Sequence, residues 1–251
     1  MGSLSVLILT KNEEENIVGA VENARRVTDD VVVIDAGSTD RTTELAKEGG
    51  ARVAFRAWTD DFAAQRNFAL GETTADWVLY LDADERMNDE LIREVKRIVS
   101  DEMINHQYVM IRKNVAFGTK FSHGALGPDQ VTRMFPRNEV KWINKVHERP
   151  DCNLPKKTLQ GHIEHHTYKS FQHWEEKCMK YTTIWAEDAY NRGKRTSLSG
   201  IFSHGIGGFF KVFVLQAGFL DGWMGFYTCF HHLFYTQMKY LKLYELQCLR
   251  K

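Results

Sequence analysis

Short apolar runs alternate with helix-spaced segments through the first hundred residues, and that rhythm leaves few folds open. Leu4–Thr10, Val31–Ile34, Ala51–Phe55 and Trp77–Leu81 read as strands, the first rich in β-branched and aliphatic side chains. Between them, Ile17, Ala20, Val21 and Ala24 recur at helical spacing after Asn12, which reads as a cap followed by three glutamates in the first turn. Arg41–Glu48, Phe62–Leu70 and Leu91–Val99 read as further helices. Strands that alternate with helices in this way build βαβ units and a mostly parallel sheet. In such sheets ligands sit at the carboxyl ends of the strands. The unusual polar residues fall there: Thr10 and Asn12, then Asp35, then Asp82 and Asp84.

From about residue 105 the rhythm changes. Tyr108–Ile111, Val131–Phe135 and Leu159–Ile163 are strand candidates without regular helices between them. Trp142 to Arg149 reads as a loop dense in functional side chains, and Trp174–Tyr190 as a helix. Residues 201–238 hold only Lys211 and Asp221 as charged groups, and the last 51 residues hold 13 of the 30 aromatics. Charge follows the same division. The first hundred residues carry 12 Lys/Arg against 20 Asp/Glu, the remainder 21 against 13, so the net zero is a cancellation of −8 and +8. A basic rear part around an apolar tail predicts an anionic partner or a membrane face.

Other chemistries are excluded by pattern. No G-x-G-x-x-G or G-x-x-x-x-G-K follows a strand, which removes the dinucleotide and P-loop readings. The four cysteines show no C-x-x-C spacing and read as reduced cytosolic thiols, and no signal-peptide pattern is seen at the N-terminus. His162, His165 and His166 lack a fourth ligand at regular zinc spacing. Asp82-Ala83-Asp84 is the sharpest feature: two carboxylates at a strand end suit a hard divalent cation whose shell is completed by a nucleotide diphosphate.

Four segments, Ser5–Glu13, Val33–Asp40, Gln65–Asn67 and Leu79–Glu85, together resemble the inverting glycosyltransferases of family 2, with the nucleotide-diphospho-sugar (GT-A) fold. Val146-His147-Glu148, Gly161–Tyr168 and Gly218–Phe226 resemble the subgroup that adds glucose to the lipopolysaccharide core. The resemblance implies an α/β GT-A domain over 1–195, with 1–100 as the nucleotide-sugar half and 101–195 as the acceptor half. It leaves 196–251 as an apolar helical extension that associates with a membrane or with a second copy. It implies that Thr10, Asn12, Glu13, Asp35, Arg66, Asp82 and Ala83 bind a UDP-sugar, Asp35 at the uracil and Arg66 at the diphosphate. Asp84 would ligate Mg²⁺ or Mn²⁺, with His165 as a further ligand.

An inverting transfer needs a base beside the acceptor hydroxyl, and Glu148 is assigned that role, with Asp129 as second candidate. Asp129, Trp142 and His147 are the acceptor-side candidates. The expected activity is transfer of a hexose, glucose from UDP-glucose, onto a lipopolysaccharide core or other lipid-linked saccharide. The site of action would be the cytoplasmic face of the inner membrane. Two alternatives share the residues: a polypeptide or polyprenyl phosphate acceptor, and a noncatalytic sugar-nucleotide-binding protein of a membrane assembly. Carbonate extraction separates peripheral attachment of residues 201–238 from a spanning segment.

Overall fold

The structure is a computed structural model that describes residues 2–101, 105–144 and 148–249. Val146 and His147 of the sequence motif, and the basic Arg250 and Lys251, lie outside the described residues. The chain forms two compact units: Met1–Arg112 with Asp129–His165, and Lys113–Pro128 with His166–Lys251. The division along the chain therefore falls at 165/166, with an excursion at 113–128.

In the first unit the alternation seen in the sequence becomes β1 (Leu4–Thr10), α1 (Glu14–Arg25), β2 (Val31–Asp35), α2 (Thr42–Glu48), β3 (Arg52–Phe55), α3 (Phe62–Gly71) and β4 (Trp77–Asp82). A short β5 (Glu85–Met87) and α4 (Asp89–Ser100) follow, then β6 (Gln107–Ala116), whose end passes with β7 (Thr119–Lys120) into the second unit, and β8 (Asp129–Pro136), β9 (Lys141–Ile143), β10 (Arg149–Asp151) and β11 (Lys156–Tyr168). The main sheet runs β3-β2-β1-β4-β8-β6-β11-β5. β3, β2, β1 and β4 are parallel to one another, as crossover helices require, whereas β8 pairs antiparallel with β4 and β6. The sheet is thus mixed, its parallel half being the segment whose helices were legible. Trp142, Ile143 and Arg149 lie in strands rather than in a loop: β9 and β10 pair, with Pro150 opposite Trp142.

Strand alternation divides the core between the two faces of the sheet. Val6, Ile8, Val31 and Val33 pack with Ile17 and Val21 of α1 and Leu91 and Val95 of α4. Leu7, Val32, Ile34, Val78 and Tyr80 pack on the other face with Ala63 and Ala69 of α3 and with Trp142. One contact is tight enough to fix a residue type. A Cβ on Gly161 would lie 2.2 Å from the backbone nitrogen of Leu91, so only glycine lets β11 pass the start of α4.

Asn12 does not cap α1. It adopts φ 54°, and its side-chain oxygen instead accepts from the Thr39 N–H at 2.8 Å, because the chain must turn sharply from β1. The capping position falls on Glu13 without a side-chain cap.

The second unit holds β7, paired with the end of β6, then α5 (Phe171–Asn191), α6 (Leu198–Phe210) and α7 (Gly222–Leu249). α5 begins at Phe171, three residues earlier than the spacing predicts, because the Ser170 hydroxyl caps it by accepting from the His173 N–H at 3.1 Å.

Candidate active site

Parallel register brings three of the candidate residues to one edge of the first unit. Thr10 lies opposite Asp35, and Leu9 lies opposite Asp82, so the carboxyl ends of β1, β2 and β4 finish level. Thr10 is buried and its hydroxyl has no hydrogen-bond partner among the described residues.

The turn after β2 is built on its own carboxylates. Asp35 accepts from the Gly37 N–H at 3.0 Å and the Ser38 N–H at 3.1 Å. Asp40 accepts from the N–H groups of Thr42 and Glu14. Burial works to raise the Asp40 pKa, but these bonds and the Thr42 hydroxyl outweigh it and hold the carboxyl below its ordinary range. The same turn holds the loop after β1. The Asn12 N–H donates to the Ser38 hydroxyl at 2.9 Å, and the Glu13 N–H to the Thr42 hydroxyl at 2.8 Å.

Beyond β4 the aspartate pair divides. Asp82 accepts from Arg133 Nη2 at 2.7 Å and lies 3.5 Å from Arg66 Nη2. Desolvation would raise its pKa, yet Arg133 and Arg66 hold it well below the carboxylate range. Asp84 stands apart from these cations, with Oδ2 3.3 Å from His165 Nε2 on β11. Ala83 between them is buried, and its carbonyl accepts from Arg86 Nη1 at 2.7 Å.

Arg66 is as closely confined as Arg133. It comes from α3, is 5% exposed, and sits over the rings of Trp142 at 4.7 Å and Tyr80 at 5.5 Å. Its Nε lies 3.6 Å from Glu148 Oε1, too long for a hydrogen bond, and Nε and Nη1 have no hydrogen-bond partner among the described residues. Trp142 is fixed by a reciprocal amide pair with Asn67, its carbonyl accepting at 2.7 Å and its N–H donating at 2.9 Å. Arg66, Asp82, Trp142 and Glu148 therefore form one cluster. Asp129 is elsewhere, forked onto Arg112 at 2.9 and 2.6 Å with nearly half its side chain exposed.

Sequence reasoning passed over three residues that join these groups. Arg133 Nη2 also donates to Glu85 Oε1 at 2.8 Å, and Glu85 is fully buried. Glu85 accepts in addition from the Asp82 N–H at 3.0 Å and from Arg112 Nη1 at 3.3 Å. An ionic ladder results: Arg66, Asp82, Arg133, Glu85, Arg112, Asp129. One signal was available in the sequence, since Arg133 interrupts the apolar run Val131–Phe135 and a charge there needs a buried partner. Nothing in the sequence pointed to Glu85 as that partner.

The donor set suits a hard divalent cation. One carboxylate and one imidazole fit Mg²⁺ or Mn²⁺ whose remaining positions go to phosphate oxygens and water. Among the described residues no cluster of three or more His, Cys, Asp or Glu completes a cage. Asp82 is committed to arginines, which leaves Asp84 and His165 as the pair able to ligate. His162 belongs to a different structure, its ring nitrogen 3.0 Å from Asn88 at the start of α4.

Residues 5–125 match the family described as Glycosyl transferase family 2. An uncharacterized glycosyltransferase of Rickettsia typhi is 28% identical over 98% of this chain and 88% of that one. A lipopolysaccharide core biosynthesis glycosyltransferase of Rhizobium meliloti is 28% identical over 76% of this chain and 73% of that one. Among solved structures, a glucosyl-3-phosphoglycerate synthase from Mycobacterium tuberculosis in complex with phosphoglyceric acid is 17% identical. It superposes with a TM-score of 0.48 over 78% of this chain and 82% of that one.

Proposed function

We propose that the chain is a glycosyltransferase of family 2 with the GT-A fold, on the match at residues 5–125, and that it moves a hexose from a uridine diphosphate carrier to a saccharide acceptor with inversion. The observation that carries this reading is Arg66. Two buried guanidinium nitrogens, Nε and Nη1, have no hydrogen-bond partner among the described residues, and their N–H groups suit the oxygens of a diphosphate. Thr10, Asn12, Glu13 and Asp35, at the level edge of β1 and β2, take the nucleoside. Glucose is the sugar proposed, and a lipopolysaccharide core or other lipid-linked saccharide the acceptor, in keeping with the lipopolysaccharide core biosynthesis role of the Rhizobium relative. The site of action is the cytoplasmic face of the inner membrane, where the protein attaches peripherally through its C-terminal helices.

In the transfer, Glu148 accepts the proton of the acceptor hydroxyl. That oxygen forms its bond to the anomeric carbon as the bond to the β-phosphate breaks, and the electron pair leaves with UDP. Arg66 meets the charge that grows on the departing diphosphate. Asp84 and His165 would hold a divalent cation, which supplies further charge neutralisation at the same oxygens. The Asp82 carboxylate, fixed by Arg133, stays ionised and faces the ribose or sugar.

Calorimetric titration with UDP-, GDP- and ADP-sugars, with and without Mn²⁺, tests the reading. Metal-dependent binding of UDP-glucose is expected, and absence of any metal-dependent nucleotide binding would overturn it. Glu148→Gln abolishes transfer and leaves UDP-sugar binding intact; a variant that keeps most of its turnover removes Glu148 from the mechanism.

A further inference from the structure

The C-terminal helices are built the wrong way round for water. Between Gly205 and Gly208, α6 meets α7 through small and polar side chains, a Cβ on Gly205 lying 2.4 Å from Gln237 and one on Gly208 2.9 Å from Thr236, while Ile201 packs with Tyr240 and Leu243. His204 stacks on Tyr240 with ring centroids 3.9 Å apart. The large apolar side chains turn outward instead. Leu198, Phe202, Ile206 and Phe210 are exposed at every fourth position of α6, and Trp223, Tyr227, Phe230 and Phe234 along α7, with Trp223 74% exposed. Leu198–Leu215 is long and apolar enough to cross a membrane, yet only 17% of it is buried. A soluble surface does not sustain so large an apolar face uncovered. Glycine contacts between helices and apolar residues outside are the packing of helices in lipid.

Polar groups in this region are already satisfied. Asp221 accepts from the N–H groups of Ser122 and His123 and pairs with the His123 ring, each at 2.8 Å. His231 pairs with Glu175 at 2.8 Å. Burial, with Lys239, His231 and Lys211 nearby, pushes the His232 pKa down to about 4 and keeps that ring neutral.

Cations border the helix pair. Lys194 and Lys239 share the ring of Trp185, at 5.1 and 4.4 Å, and also lie over Tyr240 and Tyr235. Neither has a carboxylate within ion-pair distance among the described residues. Arg195 lies over Tyr190 at 4.2 Å, and Lys211 stands near the turn. Lysines on aromatic rings without counter-charge are the arrangement found at the headgroup level. The chain also reverses after Leu215, through Ala217 at φ 51° and Gly222 at φ 69°, so that α7 returns antiparallel along α6.

We propose that the outer faces of α6 and α7 lie in one leaflet of a bilayer containing anionic phospholipid, without crossing it. Lys194, Arg195 and Lys239 meet the lipid phosphates, and the exposed aromatics enter the acyl boundary. This deepens the membrane attachment proposed above and rests on it. The occupant is lipid rather than a second copy because Lys194, Arg195 and Lys239 stand beside the apolar face with no ion pair to a carboxylate among the described residues, and a second copy would set the same cations against them.

Flotation of the full chain with vesicles of phosphatidylcholine alone, or mixed equally with phosphatidylglycerol, tests the proposal. Binding to the anionic vesicles is expected to fall about 30-fold in the pair Lys194→Gln and Lys239→Gln, at roughly 1 kcal/mol per basic residue. Binding to phosphatidylcholine stays unchanged in that pair. Phe202→Ser with Phe234→Ser removes binding to both. Lipids brominated near the headgroup quench Trp223 more than lipids brominated at the chain ends, and Trp223→Phe removes that difference.

Equal binding of parent and lysine variant to anionic vesicles overturns the headgroup contact. Stronger quenching by the chain-end bromines overturns the single-leaflet placement. A stable dimer by light scattering without binding to either vesicle overturns the lipid occupant. UDP-sugar binding by the same variants reports on the transferase reading separately.

Discussion

Replacing Arg133 by methionine removes the cation that joins Asp82 to Glu85 while keeping most of its volume. Arg133 is 5% exposed and Glu85 fully buried, so the substitution strands a carboxylate in the protein interior. Breaking a buried pair from one side costs about 3–5 kcal/mol. Asp82 keeps Arg66 at 3.5 Å and Glu85 keeps Arg112 at 3.3 Å, which places the expected loss near the lower bound, about 3 kcal/mol.

The pH dependence follows from proton counts. In the parent, Asp82 is held below its unfolded value, so its contribution is present above about pH 4 and is lost as pH falls through its depressed folded pKa. In the variant Asp82 loses its main cation and that contribution shrinks, so the gap between parent and variant narrows as pH falls from 7 to 3. Urea unfolding at both pH values gives the two differences. Adding Glu85→Gln to the variant restores about 2 kcal/mol in a double-mutant cycle, since the stranded charge is gone. A loss under 1 kcal/mol, a difference that does not change with pH, or no coupling to Glu85 would refute the ladder as the support of this site.

Other outcomes test separate links. Asp84→Asn weakens Mn²⁺ binding in the presence of UDP at least tenfold by calorimetry while Asp82 contacts persist, because it deletes one of the two side chains proposed to hold the cation. Gly161→Ala lowers the urea midpoint by about 1–3 kcal/mol or more in equivalent stability, since the new Cβ meets backbone rather than a movable side chain. Arg66→Lys reduces UDP affinity more than Lys11→Ala, measured by titration, because an ammonium has no planar fork for two phosphate oxygens. The second unit loses stability as pH falls from 7 towards 4, since His232 binds its proton more readily unfolded, and His232→Asn flattens that loss in thermal melts.

Local pattern decided much of this protein. The alternation of apolar runs and helix-spaced segments fixed β1 to β4 and their helices, because a parallel strand buried on both faces is nearly continuous in apolar residues. It also placed Thr10, Asp35 and Asp82 at strand ends, since a parallel sheet brings successive carboxyl ends to one edge. The charge-poor tail was equally plain in composition. What the sequence left open depends on contacts across long separations. Arg133 and Glu85 are 48 residues apart, and the pairing exists only because antiparallel β8 lies beside β4. Asp84 and His165 meet only because β11 lies beside β5 with His165 opposite Glu85. Asn12 reads as a helix cap by type, yet the turn it enters required φ 54° and redirected its side chain to Thr39. Strand pattern records which faces are buried; it carries no record of which distant charge a buried charge will find, and that choice belongs to the tertiary structure.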